Sequence, residues 1–429
     1  MSDIKSVYDT VKENYLEYGR EINTNRSVVN IDGLKKLHRR ILITANRLGK
    51  KEPTSTLSGE VAKLHPHASQ DDTISMLVRA GILEGLGNHG SDTLVPCPPA
   101  ASRYTKSGMN KDLVDYFFKL SSYCKMKEGE LEGYMEPAFL ITPVPACLIV
   151  GGAGIGLGGV IAKYPCFSYS SLLEAHFNND PKLLRGSKNT IIDMDYDGLW
   201  KKGVGKITYM LDVYREFSKD DNTNVTVIRG KLGGIVPDVS VFDDYIAEGR
   251  VFLRDESSTS LKIVVGRTPN TRAITDDEIY NLCKEISTKT IQYRLMVSLE
   301  DKVKLLGIRD WLKLTVKNYT AVFERWKRDS VKYYNNLIEE YTLLPEVGKR
   351  VLANMDIKDI ASELNTTQAM VERISKKAIS MLRKSDYSSR IKDFETKRDK
   401  IDRLDPKSEM LYFNDVWDKA VENYYQGDK

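Results

Sequence analysis

The chain has little of what usually settles a class at first sight. Cysteine is scarce: Cys97, Cys124, Cys147, Cys166 and Cys283 are the five in 429 residues, an odd number with no CxxC spacing. That pattern excludes a disulfide-framed secreted domain and a cysteine zinc site. It reads as reduced core thiols in a cytosolic compartment. No run reaches eighteen consecutive apolar residues, and charges occupy the N-terminal stretch where a signal peptide is apolar. A soluble intracellular protein with no membrane partner is expected. Charge of one sign is not in excess either, since 64 Lys and Arg face 60 Asp and Glu for a net +4. Composition alone therefore does not announce nucleic acid. There is no P-loop, no internal repeat and no low-complexity tract.

Distribution says more than totals. At 41% hydrophobic the chain can bury several cores, and its length fits two to four domains. From Gly33 to Lys51 there are seven cations and no carboxylate: Lys35, Lys36, Arg39, Arg40, Arg47, Lys50 and Lys51. Leu34, Leu37, Ile41 and Ala45 repeat at helical spacing there, which predicts Lys36, Arg39 and Arg40 away from the apolar face, as an ordinary solvated face or a phosphate-binding stripe. Residues 3–22 carry an amphipathic helical pattern (Ile4, Val7, Tyr8, Val11, Tyr15), an arm or docking helix. Between about 165 and 305 the pattern turns to short β-rich runs such as Ile207–Met210, Val225–Ile228 and Leu261–Val265. Past 310 it is helical. Leu312, Val316, Tyr319, Phe323 and Trp326 step at 3–4 spacing, and Tyr387, Ile391, Phe394, Ile401 and Leu404 return at the same spacing. Two such seams around a compact 343–382 segment predict an antiparallel coiled coil with a globular tip.

The chemistry centres on Pro99-Ala100-Ala101-Ser102-Arg103-Tyr104-Thr105. A phenol beside a guanidinium suits phosphoryl transfer, one group attacking and the other neutralising phosphate charge. His65 and His67 flank Pro66, but no third His, Cys or carboxylate stands at a supporting distance, so metal ligation is not expected. Four of the five histidines (His38, His65, His67, His89) fall in this block, which favours contact with phosphates. Gly154, Gly156 and Gly159 fit GxGxxG after an apolar run, yet Pro165 follows too soon for the helix a dinucleotide site needs.

In order and spacing, five motifs resemble the breakage-reunion subunit of type IIA DNA topoisomerases. They are Asp32-Gly33-Leu34-Lys35…Arg39-Arg40, His65-Pro66-His67, Gly85-Leu86-Gly87-Asn88-His89-Gly90-Ser91, Ala100–Thr105 and Gly151–Gly156. The family includes the A subunits of gyrase and topoisomerase IV and the medium subunit of T-even bacteriophage topoisomerase. Glu136-Pro137-Ala138-Phe139 followed by Pro143-Val144-Pro145 is similar to its viral and eukaryotic branch. Ala68 stands where the family has Gly, and Leu86 and His89 where it has Gln and Phe.

The resemblance implies an α+β multidomain fold: an N-terminal helical arm (1–30), a winged-helix or helix-turn-helix cleavage domain (31–165), an α/β tower (166–309), and a coiled coil with an exit-gate dimerisation tip (310–429). It implies that Tyr104 attacks a DNA phosphate and holds the 5′ end. Arg103, His67 and Arg26, the arginine of Asn25-Arg26-Ser27, would steady that phosphate. Lys35, Lys36, His38, Arg39, Arg40 and His65 would bind DNA, and Ile155 would wedge into the minor groove. As no GHKL-like ATPase motif and no TOPRIM-type acidic cluster is seen, ATP hydrolysis and Mg²⁺ would come from ATPase and TOPRIM partner chains. The chain itself would act as a homodimer on double-stranded DNA, in a prokaryotic or virus-infected cytoplasm. A non-catalytic DNA-bending or scaffold protein of the same fold is the alternative; a tyrosine recombinase would need an Arg-His-Arg constellation and a 3′ linkage.

Overall fold

The computed structural model of the chain describes residues 7–66, 70–269, 274–381 and 387–426. Chain contacts divide it into two units, Met1–Tyr319 with Leu411–Lys429, and Thr320–Met410.

The first unit is built around the helix Lys36–Leu48, which ends on Gly49 in the left-handed region with its N–H on the Ala45 carbonyl. Behind it lies a three-stranded antiparallel sheet ordered Glu52–Pro53, Lys106–Met109, Leu83–Leu86. Helices Thr54–Ala62 and Asp71–Arg79 pack on that sheet through Leu57, Val61, Ile74, Leu77 and Val78, all buried. An aromatic cluster closes the far side, with Tyr116 edge-on to Phe413 and Trp417 at 5.1 Å each and to Phe117 at 4.9 Å. Of the five thiols, Cys124, Cys147 and Cys283 are buried as core residues. Cys97 is exposed, because its segment runs over the surface before Tyr104.

Two larger sheets follow. A five-stranded sheet runs Gly152–Ile155, Ile161–Tyr164, Thr288–Arg294, Val204–Met210, Thr190–Met194, antiparallel at every step. A four-stranded antiparallel sheet runs Asp212–Ser218, Thr223–Gly230, Leu261–Arg267, Val251–Asp255. Alternation explains the first: Gly205, Ile207, Tyr209 and Tyr293 point inward, and their neighbours in sequence point out. Helix Asp276–Ile286 covers the second sheet and starts on a capping box of Thr275 and Glu278. The β-rich runs read from the sequence are all strands.

Helix Ile308–Leu352 runs 45 residues, through Pro345. Its first turns belong to the first unit, where Trp311 Nε1 donates to the Ile31 carbonyl (2.8 Å) and Thr315 Oγ1 to that of Pro143 (2.9 Å). The coil therefore starts later than the seam spacing implied: Leu312, Val316 and Tyr319 are buried within the first unit.

The second unit holds the rest of that helix and the returning Ser388–Asp402. Tyr341 meets Tyr387 at 5.7 Å and Phe394 at 5.2 Å, while Tyr334 meets Phe394 at 6.3 Å, an antiparallel pairing. Short helices Ile357–Glu363 and Gln368–Met381 close its own core of Leu344, Val347, Ile360, Val371 and Ile374. Glu340, 2% exposed, is held by Arg373 at 3.1 Å. No helix among the described residues is long and apolar enough to cross a membrane.

Trp417 is 1% exposed within the aromatic cluster. Trp417→Ala should lower unfolding free energy by about 3–5 kcal/mol, read as a shift of the urea midpoint; a loss below about 1 kcal/mol would show that this cluster does not hold the unit together.

Candidate nucleic-acid interface

Tyr104 stands on a tight turn whose geometry the first unit fixes from behind. Its N–H bonds the Ala101 carbonyl at 2.8 Å. Thr54 N–H donates to the Thr105 carbonyl (2.9 Å) and Ser55 N–H to that of Ser102 (3.2 Å), so the otherwise unpaired first N–H groups of helix Thr54–Ala62 grip the turn. Buried Thr105 donates to Thr54 Oγ1 at 2.8 Å, and Thr54 Oγ1 lies 2.8 Å from Ser107 Oγ. The tyrosine ring itself is 70% exposed, and the Arg103 guanidinium sits 4.5 Å from its centroid. A rigid base thus presents a solvent-facing phenol with a cation at its side. Lys106, two residues on, is also exposed.

The histidine and arginine block behaves differently from the exposed stripe that its spacing predicts. Lys36, Arg39 and Arg40 are buried, at 8%, 4% and 1% exposure. Arg39 Nη1 donates to both Asp32 oxygens (3.1 and 3.2 Å) and to the Leu34 carbonyl. Arg40 forks onto Glu136 through Nε (2.7 Å) and Nη2 (3.0 Å), and its Nη1 donates to His65 Nδ1 (2.7 Å). Lys36 pairs with Glu130 at 3.2 Å. The carboxylate partners of Lys36 and Arg40 lie 90 or more residues away, which is why helical spacing alone could not reveal them. His89 is likewise a core residue at 1% exposure: Nε2 faces the Lys106 carbonyl (3.1 Å) and Nδ1 faces Ser75 Oγ (3.3 Å). His67 lies outside the described residues.

Lys35 and His38 line a cavity of about 240 Å³ together with Leu34, Met76, Leu77 and Cys147. Burial lowers the Lys35 ammonium pKa. Burial and the neighbouring Lys35 and Arg39 charges push the His38 imidazole down to about 3, so near neutral pH it is an uncharged hydrogen-bonding group.

The Gly151–Gly156 stretch is a β-hairpin strand paired with Ile161–Tyr164, and Ile155 at its tip is 81% exposed. One π-helical turn, Ile22–Ser27, clamps it. Asn23 Nδ2 donates to the Leu157 carbonyl (3.0 Å) while Asn23 Oδ1 accepts from Leu157 N–H (2.8 Å). Ser27 Oγ donates to the Ile155 carbonyl (2.9 Å). Two glycines are required by this contact, since a Cβ on Gly154 would lie 1.6 Å from the Ser27 carbonyl oxygen and one on Gly156 2.0 Å from Asn23 Oδ1. Arg26 projects, exposed, from the same turn. The structure thus brings Arg26 and Ile155 into one local assembly.

Strand register adds residues that the sequence reading missed. Ile155 pairs with Ile161, Lys163 with Ala153 and Arg294, and Lys206 with Gln292. Paired residues share a face, so Ile155, Ile161, Lys163, Arg294 and Lys206 form one outward surface. None of these three cations has an ion-pair partner among the described residues. The cue was the every-other-residue spacing of Ile161/Lys163 and Gln292/Arg294 after a glycine hairpin. Of the alternating Asp193, Asp195 and Asp197, Asp195 accepts from Gly198 N–H (2.9 Å) and Asp197 pairs with Lys201 (2.6 Å). Among the described residues no three His, Cys, Asp or Glu converge as a metal site.

Tyr104, the buried cation cluster, the glycine hairpin, Lys163 and Lys206 lie within one stretch with known relatives, while Asn23 and Arg294 lie outside it. Residues 26–210 match the family of the DNA gyrase/topoisomerase IV A subunit. The chain is 30% identical over 168 residues to the DNA gyrase A subunit of Borreliella burgdorferi, covering 35% of this chain and 20% of that protein. It is 33% identical over 172 residues to the chloroplastic/mitochondrial DNA gyrase A subunit of Arabidopsis thaliana (34% and 17%). It is 32% identical over 186 residues to the DNA gyrase A subunit of Thermotoga maritima (40% and 23%). The chain thus spans about a fifth of the length of these relatives.

Asn23→Ala should remove the hairpin clamp without touching the exposed tip. The Leu157 amide should then exchange with solvent faster by about tenfold or more; unchanged exchange would show that the glycine contact alone holds the hairpin. His38 supplies a pH test. The unfolded imidazole takes a proton below about 6.5 and the folded one does not, so stability should fall as pH drops from 6.5 toward 3, by up to about 1.4 kcal/mol per unit from this group. His38→Gln should flatten that limb of the stability profile, and an unaltered slope would mean that the folded imidazole protonates normally.

Proposed function

We propose that this chain is the DNA-binding and cleaving subunit of a type IIA topoisomerase, active only with partner chains. The exposed Tyr104 on its braced turn, inside the stretch similar to gyrase A subunits, carries the reading. Tyr104 Oη attacks a backbone phosphorus, the P–O3′ bond breaks, and the 3′ oxygen leaves with a proton. The 5′ phosphate stays on the tyrosine, and attack by the 3′ hydroxyl reverses the step without input of bond energy. Arg103 lies where it can follow the transferring phosphate. The finer fold reading goes with this: a winged helix around Tyr104, a tower containing the two larger sheets, and a coiled coil that dimerises at its tip.

Tyr104 and His65 sit at opposite ends of one nine-residue helix, roughly 13 Å long. That separation favours a site shared by two copies, the tyrosine from one protomer and the Arg26, Lys35 and His65 region from its partner. Ile155 enters the minor groove and the duplex continues over Lys163, Arg294 and Lys206. A divalent ion on a TOPRIM partner would steady the leaving oxygen, and ATP on an ATPase partner would drive strand passage. A viral origin agrees with the Glu136–Pro145 run. A scaffold that only bends DNA is the second reading, favoured if the chain binds but never forms an adduct.

Two experiments check this. In a reconstituted complex, mixed Tyr104→Phe and Arg26→Ala chains should regain covalent adduct that neither variant forms alone, as one of the two shared sites is then intact. No complementation would place both residues in one chain's site. Replacing Lys163, Arg294 and Lys206 with Gln should reduce the slope of log K against log salt by about 2–3, whereas an unchanged slope would remove the sheet face from the footprint.

A further inference from the structure

The buried cluster under helix Lys36–Leu48 has a consequence for one histidine. His65 is 7% exposed, and its backbone is fixed by His65 N–H donating to the Val61 carbonyl at 2.9 Å, just past the end of helix Thr54–Ala62. Arg40 Nη1 lies 2.7 Å from His65 Nδ1. A guanidinium only donates, so Nδ1 must accept, and the ring proton of the neutral imidazole is forced onto Nε2. The guanidinium cannot turn away, because Glu136, 3% exposed, holds its Nε and Nη2 at 2.7 and 3.0 Å. Glu130 lies 3.2 Å from both Arg40 and Lys36 and 3.8 Å from His65 Nδ1. Lys36 and Arg40 thus face Glu130 and Glu136 beside the ring.

We propose that Glu136 and Arg40 are positioning residues that lock His65 into the Nε2–H tautomer, as a fixed hydrogen-bond donor to a non-bridging phosphodiester oxygen. This rests on the DNA-cleavage reading above. It also gives Arg40 a task other than binding DNA: the guanidinium is engaged by Glu136 and His65, and what reaches the substrate is the imidazole N–H. A fixed neutral donor strengthens as charge grows on the phosphate and needs no reorganisation when it does.

Only five histidines occur in the chain, so a sample labelled with ¹⁵N in the imidazole rings gives a spectrum of five spin systems. His65→Gln assigns the signal. Without DNA, wild-type His65 should show a single tautomer with the proton on Nε2. A proton on Nδ1, or an averaged mixture, overturns the proposal whatever the chain does to DNA. The double variant R40M/E136Q removes both ends of the fork and leaves Lys36 paired with Glu130, which avoids stranding a buried charge. Its other histidine signals should be unchanged while the His65 tautomers average. In the reconstituted complex its adduct formation should drop by about 100-fold, with DNA affinity within about threefold. The single variant R40K, which keeps a donor to Nδ1, should recover the tautomer and part of the rate. Averaged tautomers with wild-type cleavage would reduce the cluster to a structural role. If the wild-type complex forms no adduct at all, the cleavage reading fails and the donor role falls with it, while the tautomer result still decides whether Glu136 and Arg40 lock the ring.

Discussion

The protein must bury three cations from one helix, and the pairing that makes this possible sets much of the first unit. Lys36, Arg39 and Arg40 would each cost several kcal/mol if left unpaired in the interior. Asp32, Glu130 and Glu136 neutralise them. Asp32, 1% exposed, does more than pair: it accepts from Leu34 N–H (3.0 Å) and Leu140 N–H (2.8 Å), and its carbonyl accepts from Ala146 N–H (2.9 Å). One carboxylate thereby joins the start of the helix to the 138–146 segment. Gly33 is needed beside it, with φ +74° and its Cα packed so closely on Ala146 that a Cβ would lie 2.4 Å from the backbone nitrogen. The chain reaches the Gly151 hairpin from there.

Around this fixed centre the exposed groups of the candidate site are arranged on separate supports. Tyr104 and Arg103 ride on a turn braced by the helix Thr54–Ala62. Arg26 and Ile155 are joined through Asn23 and Ser27. Lys163, Arg294 and Lys206 extend from the hairpin across one face of the sheet. The contrast is electrostatic: Lys36, Arg39 and Arg40 are buried against carboxylates, whereas Lys163, Arg294 and Lys206 have no ion-pair partner among the described residues.

The sequence made some of this legible and not the rest, for identifiable reasons. The Arg103–Tyr104 pair and the glycine-rich run Gly151–Gly156 are local, and both show in the string itself as short runs of small residues. The strands at 207–210, 225–228 and 261–265 follow from β-branched content, and the returning coil from its seam at Tyr387, Ile391 and Phe394. Helical spacing misplaced Lys36, Arg39 and Arg40, because a periodicity argument treats charge as solvent-facing unless its partner is near in sequence. Glu136 stands 96 residues from Arg40. The sheet-face cations were hidden for the same reason, since Lys163 and Arg294 become neighbours only through register.

The central claim is that Tyr104 carries the DNA phosphate, and mass spectrometry of the trapped complex tests it most directly. After denaturation, nuclease and protease digestion, the account predicts a single peptide spanning Tyr104 with a nucleotide esterified through its 5′ phosphate to the phenol oxygen. A nucleotide on any other residue, or a 3′ phosphate linkage on this one, would contradict it.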